Sequence, residues 1–442
     1  MRGSFNLWTE PWVSTRYLGG DERELGLGKL LRDAHLIETV DDPFPTVCYG
    51  LYRLQVALVT DIHRFRGADQ VREIYNNGRF APGEIDRYEE RYSHLFDVFD
   101  REKPFLQTAS PAAGVRKHSV SRLFQQIPSG TGATHFSHGL EKDHAWSGRV
   151  CARALMAMTP FMASGGAGYS PSVNGAPPWY VLVRGRSLFE TLLLNSRGER
   201  ELGLPAWRDD RPVQPKTERA CGKLLEGLTW QPRTVRLIVG EGGTCTHSGA
   251  RTEVLVREIF FGPGWKARDV EKWTDPHVAY ETDAKGRRWT LRPRENRGAW
   301  RELAAFAKDR KPDWAKLSSL RLDCFGLRTD KAKVFEWYRE SYPLPDRAVR
   351  EPGLLQQALE YVDECESQLK SSLRRALGGK SKRALSLFEE RVKSAFLDDY
   401  LAQLEAGGDP DPILFEWHER VKRICTEVME AEMRRTGVTA CL

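Results

Sequence analysis

The residues best suited to chemistry without side chains run from Ser164 to Gly175, S-G-G-A-G-Y-S-P-S-V-N-G. Gly165, Gly166 and Gly168 surround Ala167 and are followed by Tyr169, a Ser-Pro pair and an Asn-Gly pair, a composition that neither a helix nor a strand can continue. Glycines admit positive φ and leave room for another backbone or a ligand to approach closely. Two readings fit, a tight turn or a cradle for a phosphate chain or a groove floor. His135, His138, His144 and His247 are the next reactive side chains, and as isolated loop histidines they are expected to be solvated. Cys245-Thr246-His247-Ser248-Gly249 resembles half of a zinc knuckle, but structural zinc wants four ligands, and Ser147 and Val150 offer no second pair. The carboxylates of Asp398-Asp399 are expected on the wet face of a helix.

Other chemistries are excluded by what is missing. The chain has no G-x-x-x-x-G-K-[ST] phosphate loop and no H-E-x-x-H metal site, so an enzyme has little to stand on. Eight dispersed cysteines without a C-x-x-C pair read as reduced, mostly buried thiols rather than a disulfide framework. No apolar run approaches the length of a membrane span, and the first residues lack a signal-peptide core, so the expectation is a cytoplasmic protein with no membrane partner. A net charge of +6 permits a polyanionic partner without requiring one.

The elements that must position these residues follow from apolar periodicity. Leu7 to Val13 is strand-like, Gly28 to His35 helical, and Leu51 to Ile62 a broadly apolar buried helix. Glu84 through Arg91 reads as a solvated face, and Lys103 to Gln107 as a turn entering a buried strand. Gln125 to Trp146 is a long exposed loop, and Arg149 to Met162 a helix that delivers the chain into the glycine segment. Trp179 to Arg184 is a strand and Leu188 to Leu194 a buried helix. Thr234 to Val239 and Glu253 to Phe261 are strands joined by a turn around Gly242-Gly243.

Beyond Pro352 the strand signal gives way to three helical stripes, led by Leu355, Leu385 and Phe415, with breaks at Gly378-Gly379 and Gly407-Gly408-Asp409-Pro410. Three helices bury their faces less completely than four, so a fourth is expected to be missing or supplied elsewhere. The fold class is α+β: a mixed α/β domain over 1–345, then an all-α bundle over 346–442.

Gly227-Leu228-Thr229-Trp230-Gln231-Pro232, with the N-terminal F-N-L-W-T-E-P-W, resembles the large-subunit (CasA) family of the type I-E CRISPR surveillance complex, Cascade. The likeness continues in order through Lys103 to Gln107, Gly132-Ala133-Thr134, the glycine segment, Val183-Arg184-Gly185, Asp275-Pro276-His277 and Gly326-Leu327-Arg328. It implies a non-catalytic, PAM-recognising subunit that works from the minor groove of double-stranded target DNA and promotes duplex opening for guide RNA pairing and R-loop formation. Its implied partners are other Cascade subunits, the CRISPR guide RNA, and a nuclease or nuclease-helicase. By matching positions, the family's glycine loop falls on Gly165, Gly166, Ala167 and Gly168 beside Tyr169, and its lysine finger on Lys266. The family's wedge falls on Thr329, Asp330, Lys331 and Ala332, where Lys331 replaces a glutamine; a helix N-terminus capped by Thr329 or Asp330 is the bland alternative. A loop that reaches guide RNA or a neighbouring subunit falls on His135, Phe136, Ser137 and His138. The family's zinc-binding cysteines are here Ser147, Val150, Cys245 and Ser248, which makes zinc doubtful, and no cofactor or metal is expected. The bundle also reads as shortened relative to some members. The runner-up is a stand-alone nucleic-acid-binding protein with a merely structural glycine turn.

Overall fold

A computed structural model describes residues 3–437 except 126, 128–142, 166–167, 212, 214–216, 269–272, 284, 296, 309, 311, 313, 316–319, 331–332 and 379–380. Its centre is the Pro45–His63 helix. Proline in the first turn suits the helix start, and Arg64 closes it in a left-handed conformation at φ 51. Sixteen consecutive residues, Thr46 to Asp61, are buried, so this helix is enclosed on every side and starts six residues earlier than its apolar stripe suggests. The Gly148–Phe161 helix crosses it closely at Gly50, where a Cβ would stand 2.4 Å from the Met156 carbonyl oxygen. Pro160, four residues beyond Met156, has no N–H to offer that carbonyl.

Small antiparallel sheets surround this pair. Val13–Tyr17 lies between Glu22–Leu25 and Ile37–Val40. A long hairpin, Arg233–Thr244 with Arg251–Pro263, carries Arg116–Ser119 on its other edge. A second hairpin, Leu320–Asp330 with Lys333–Leu344, takes Tyr180–Arg184 as its third strand.

Several expectations need correction. The first strand begins at Val13, because Leu7 to Trp12 are spent on turns whose N–H groups reach Phe96, Asn6 and Leu25. Lys103 to Gln107 leads into no strand; Gln107 turns back on Pro104, and the Thr108 N–H joins the long hairpin at Val235. Gly242 and Gly243 continue a strand, since the reversal comes at Cys245 to Ala250. Glycine is needed there because a Cβ on Gly242 would lie 2.5 Å from the Thr252 carbonyl oxygen. The Leu320–Leu344 hairpin has no counterpart in the sequence reading.

The bundle follows its stripes. Pro352–Leu377 and Pro410–Thr436 flank a middle helix that runs Lys382–Ala395, through a π turn at Phe396–Tyr400, to Leu401–Ala406. Phe388, Val392, Phe396, Tyr400 and Leu404 are all buried at a strict interval of four. That interval drifts by about 40° per step around an α-helix, and the wider π turn takes up the drift. The missing fourth partner is supplied by this same chain: Trp300, Leu303 and Phe306, from the turn and short helix at Ala299–Ala307, join the bundle core, and Trp300 packs 5.3 Å from Phe396. Arg301 anchors this segment to Asp363 at 2.5 Å and Glu366 at 2.7 Å on the first bundle helix.

Two hydrophobic cores meet at the sheet formed by Tyr180–Arg184 and the Leu320–Leu344 hairpin. Val181, Val183, Leu322 and Cys324 face the bundle core, whereas Tyr180, Leu182, Phe325 and Leu327 face the core around Pro45–His63. The two-residue period of a strand makes one sheet the floor of both. No helix among the described residues is long and apolar enough to cross a membrane.

Candidate nucleic-acid interface

The Gly148–Phe161 helix ends at Met162 and hands over to the glycine loop, whose base is closed by several bonds. Ser172 N–H donates to the Met162 carbonyl at 2.8 Å, the Ser172 hydroxyl reaches the Thr159 carbonyl, and Gly165 N–H approaches the Tyr169 carbonyl at 3.4 Å. Above this base, Ser164, Gly165 and Gly168 are exposed, and Gly168 has φ +84, which favours glycine. Gly166 and Ala167 lie outside the described residues. Tyr169 is half-buried, its ring stacked 6.3 Å from Phe261 of the long hairpin. Arg122 lies over the other member of that pair, 5.1 Å from the Phe261 centroid, and Arg116 and Lys117 sit on the adjoining edge strand. Gly165 and Gly168 therefore present bare backbone beside a cationic, aromatic seat.

The long hairpin also positions Lys266. Arg233 pairs with Pro263 at the hairpin's open end, Gly264 N–H donates to the Pro232 carbonyl at 3.0 Å, and Lys266 follows on a short parallel ribbon with Glu218–Ala220. The glycine loop and Lys266 are thus both attached to the open end of the same hairpin. Lys266 is exposed, and its ammonium lies 2.6 Å from Glu218 Oε1, so it reaches another group only by giving up that surface pair.

Thr329 and Asp330 stand at the end of a strand, where Asp330 pairs with Lys333; the helix cap that offered their bland alternative is not there. Strand register replaces it, with a bulge between Arg328 and Thr329. Lys331 and Ala332 lie outside the described residues, as do His135, Phe136, Ser137 and His138. Among the described residues, no hydrogen bond or ion pair joins Thr329 or Asp330 to the glycine loop.

The far end of the loop is held by a buried polar network that composition did not reveal. Asn174 donates to Asp275 Oδ2 at 2.7 Å and accepts from Trp273 Nε1 at 3.1 Å. Arg53, from the central helix, donates to the same Asp275 oxygen at 2.7 Å, to Tyr49 Oη at 3.0 Å, and to the Leu228 and Gly227 carbonyls at 2.8 and 2.9 Å. Burial alone would raise the Asp275 carboxyl, but Arg53, His277 and Asn174 outweigh it and hold the carboxyl below its ordinary range. Burial pushes His277 down to about 4, so it is neutral, with its ring nitrogens near Tyr49 Oη and the Asn195 carbonyl. The quoted segments Gly227-Leu228 and Asp275-Pro276-His277 are two sides of this one knot.

With this geometry in place, the comparisons with known proteins are decisive. The family described as CRISPR-associated protein Cse1 matches residues 6–428. This chain belongs to the Cse1 family. It is 28% identical to the CRISPR-associated protein CasA/Cse1 of Thermus thermophilus, with 99% of this chain and 94% of that protein covered. The solved structure of Thermus thermophilus CasA (Cse1) superimposes at a TM-score of 0.76, 25% identity and 99% and 95% coverage. A chain of a CRISPR RNA-guided surveillance complex shares the fold at a TM-score of 0.74, 19% identity and 97% and 99% coverage. The Cse1 membership and the α+β fold are as the resemblance implied.

In this Cse1-family chain, the positions expected to replace a zinc site are gathered. Cys245 Sγ accepts from Ser147 N–H at 3.4 Å, and the Ser147 hydroxyl caps the Gly148–Phe161 helix at Val150 N–H, also 3.4 Å. Burial would raise the Cys245 thiol, but hydrogen bonds from Ser248, Ser147 and His247 hold it below its ordinary value. Among the described residues, no group of three or more His, Cys, Asp or Glu is arranged to hold a metal. His247 is exposed yet in ring contact with Phe44, Phe124 and Trp146, and burial lowers its basicity.

Proposed function

We propose that this Cse1-family chain is the non-catalytic large subunit of a type I-E CRISPR RNA-guided surveillance complex, a cytoplasmic ribonucleoprotein, and that it reads the PAM of double-stranded target DNA from the minor groove. The observation that carries this reading is the glycine loop, in which Gly165 and Gly168 expose backbone without a side chain beside a cationic hairpin end, and whose base is closed by hydrogen bonds. The minor groove is narrow and its code degenerate, so backbone reaches its floor where bulkier side chains would not. Lys266 would exchange Glu218 for a phosphate or a groove acceptor, and the Thr329 to Ala332 hairpin end, with Lys331, would wedge open the first base pair. Base-edge contacts select the site, phosphate contacts hold it, and guide pairing then drives opening.

The division into a PAM-reading unit over 1–345 and a bundle over 346–442 belongs to this reading, with the bundle facing the displaced strand and neighbouring subunits. So do guide RNA contact through His135 to His138, cleavage by a separate nuclease or nuclease-helicase, and the absence of zinc. The test is a binding assay of the assembled complex across all short flanking motifs. Intact duplex should bind with a clear motif preference, and Gly165→Val should erase it by about tenfold or more. Unchanged preference in that variant would dismiss the loop as reader.

A further inference from the structure

Arg233 is a buried charged residue in an unusual setting. It opens the first strand of the long hairpin and is only 4% exposed. It forms no ion pair among the described residues. Its hydrogen bonds go only to carbonyls: Nη1 donates to Ser170 at 2.6 Å and Pro232 at 2.7 Å, and Nη2 to Ala163 at 2.6 Å, while Nε finds no acceptor. A buried charge without a counter-charge is costly, and the cost is visible: burial pushes this guanidinium down to about 10.

The arrangement makes sense from the loop's side. Ala163 and Ser170 bracket the six residues 164–169, so one planar fork spans both ends of the glycine loop. The Tyr169 ring lies against the same guanidinium, 5.2 Å from its centre. A Cβ on Gly165 would stand 3.3 Å from Tyr169 Cβ and 3.8 Å from Arg233 Nη2, so the loop folds down onto this support. Charge-assisted bonds to two carbonyls in fixed directions are something arginine provides and lysine, a point charge on a flexible stem, does not.

We propose that Arg233 is the positioning residue of the glycine loop, its fork fixing the separation of the Ala163 and Ser170 carbonyls so that Gly165 and Gly168 meet the minor groove in one arrangement. The proposal rests on the reading of that loop as the PAM contact. Arg233 acts through the loop and is itself too buried to touch a base.

The experiment compares assembled complexes carrying wild-type protein, Arg233→Lys and Arg233→Met. Each is measured on intact duplex with the preferred motif, on duplex with a scrambled motif, and on a target opened in advance beside the motif. Hydrogen exchange of amides 163–172 is read alongside that of the Arg251–Pro263 strand, which reports whether the hairpin still folds. Arg233→Lys should lower motif discrimination about tenfold and leave binding to opened target within about twofold. Exchange should quicken in the loop but not in the strand, and Arg233→Met should do no better than Arg233→Lys. Full discrimination in Arg233→Lys overturns the proposal, because charge without the fork would then suffice. Equal loss on all three DNAs with loosening of the strand also overturns it, since the role would be structural only. Absence of motif discrimination in the wild type overturns the loop reading itself, and the proposal with it.

Discussion

The two cores that share the Tyr180–Arg184 sheet differ in where they keep their charges: one pairs them at its centre, the other at an edge where Arg301 is buried but its carboxylate partners reach the surface. The core around Pro45–His63 encloses an ion pair, Arg53 with Asp275, both at most 2% exposed, together with a neutral histidine and several backbone carbonyls. The bundle core is lined by aliphatic and aromatic side chains, and its principal ionic cluster, Arg297 and Arg301 with Asp363, Glu366 and Glu389, lies along the seam where the Ala299–Ala307 segment docks. A dry stripe needs only neighbours of the right size, whereas a buried ion pair with every bond assigned accepts one geometry. The first plan is found beside the glycine loop proposed to meet DNA, and the second where helices need only pack.

That contrast is broken most severely at Arg53. Arg53→Met should strand Asp275 as a buried, uncompensated charge and cost about 3–5 kcal/mol in denaturant unfolding. Leu373→Ala, in the bundle, should cost about 2–5 kcal/mol through its cavity alone. The sharper distinction is pH: the Arg53→Met deficit should shrink in acid, as Asp275 protonates, while the Leu373→Ala deficit stays level. A deficit in Arg53→Met that ignores pH would mean the network acts as ordinary packing.

Next in size is the acid sensitivity supplied by His277. Its folded value of about 4 lies below the ordinary value of 6.5, with Asp275, Arg53 and Arg310 around it. Between those values the unfolded chain binds a proton that the folded chain refuses, so stability falls as pH drops from 6.5 towards 4 and is fully present above 6.5. Relative to His277→Gln, the wild type should lose about 3 kcal/mol over that window, read from unfolding midpoints at successive pH. Parallel curves would contradict a buried neutral histidine.

The smallest effect belongs to Lys266. Because its pair with Glu218 is exposed, Lys266→Ala should leave the unfolding midpoint close to that of the wild type. If the lysine meets a phosphate, the slope of log affinity against log salt should fall by about 1 in the assembled complex on motif-bearing duplex. An unaltered slope would leave Lys266 as a surface residue.

What could be read from the residues alone follows the same divide. The bundle helices were legible because each stripe is local: Leu355, Phe388 and Val428 are buried by helices of the same kind, and glycines mark the breaks. The glycine loop was legible as a segment that neither helix nor strand could absorb. Its fastening was not, since Arg233 lies far from Ala163 in sequence and an arginine opening a strand carries no sign of burial. The Arg53–Asp275 pair escaped for the same reason, across more than two hundred positions. The Leu320–Leu344 hairpin was hidden by its own register: one strand feeds two cores through alternate residues, so it shows neither the clean alternation of a half-wet strand nor a plain apolar run.

The π turn at Phe396–Tyr400 has a consequence for how the bundle could change length. Asp398 and Asp399 within it are exposed, so deleting either would remove no buried contact directly and would allow an unbroken α-helix. The downstream half would keep its phase, because the π turn has already absorbed one extra residue into a wider turn, and it would only be drawn in by about 1.5 Å. Leu401 and Leu404 would stay on the buried face, and Gly408, whose carbonyl now receives Arg347 at 2.7 Å, would remain on the same side of the arm. The spare residue is taken up by the turn without altering the phase between the two halves of the helix. A single-residue deletion at this turn should therefore be tolerated, whereas the same deletion elsewhere in the arm, with no π turn to absorb it, would rotate everything downstream by about 100°.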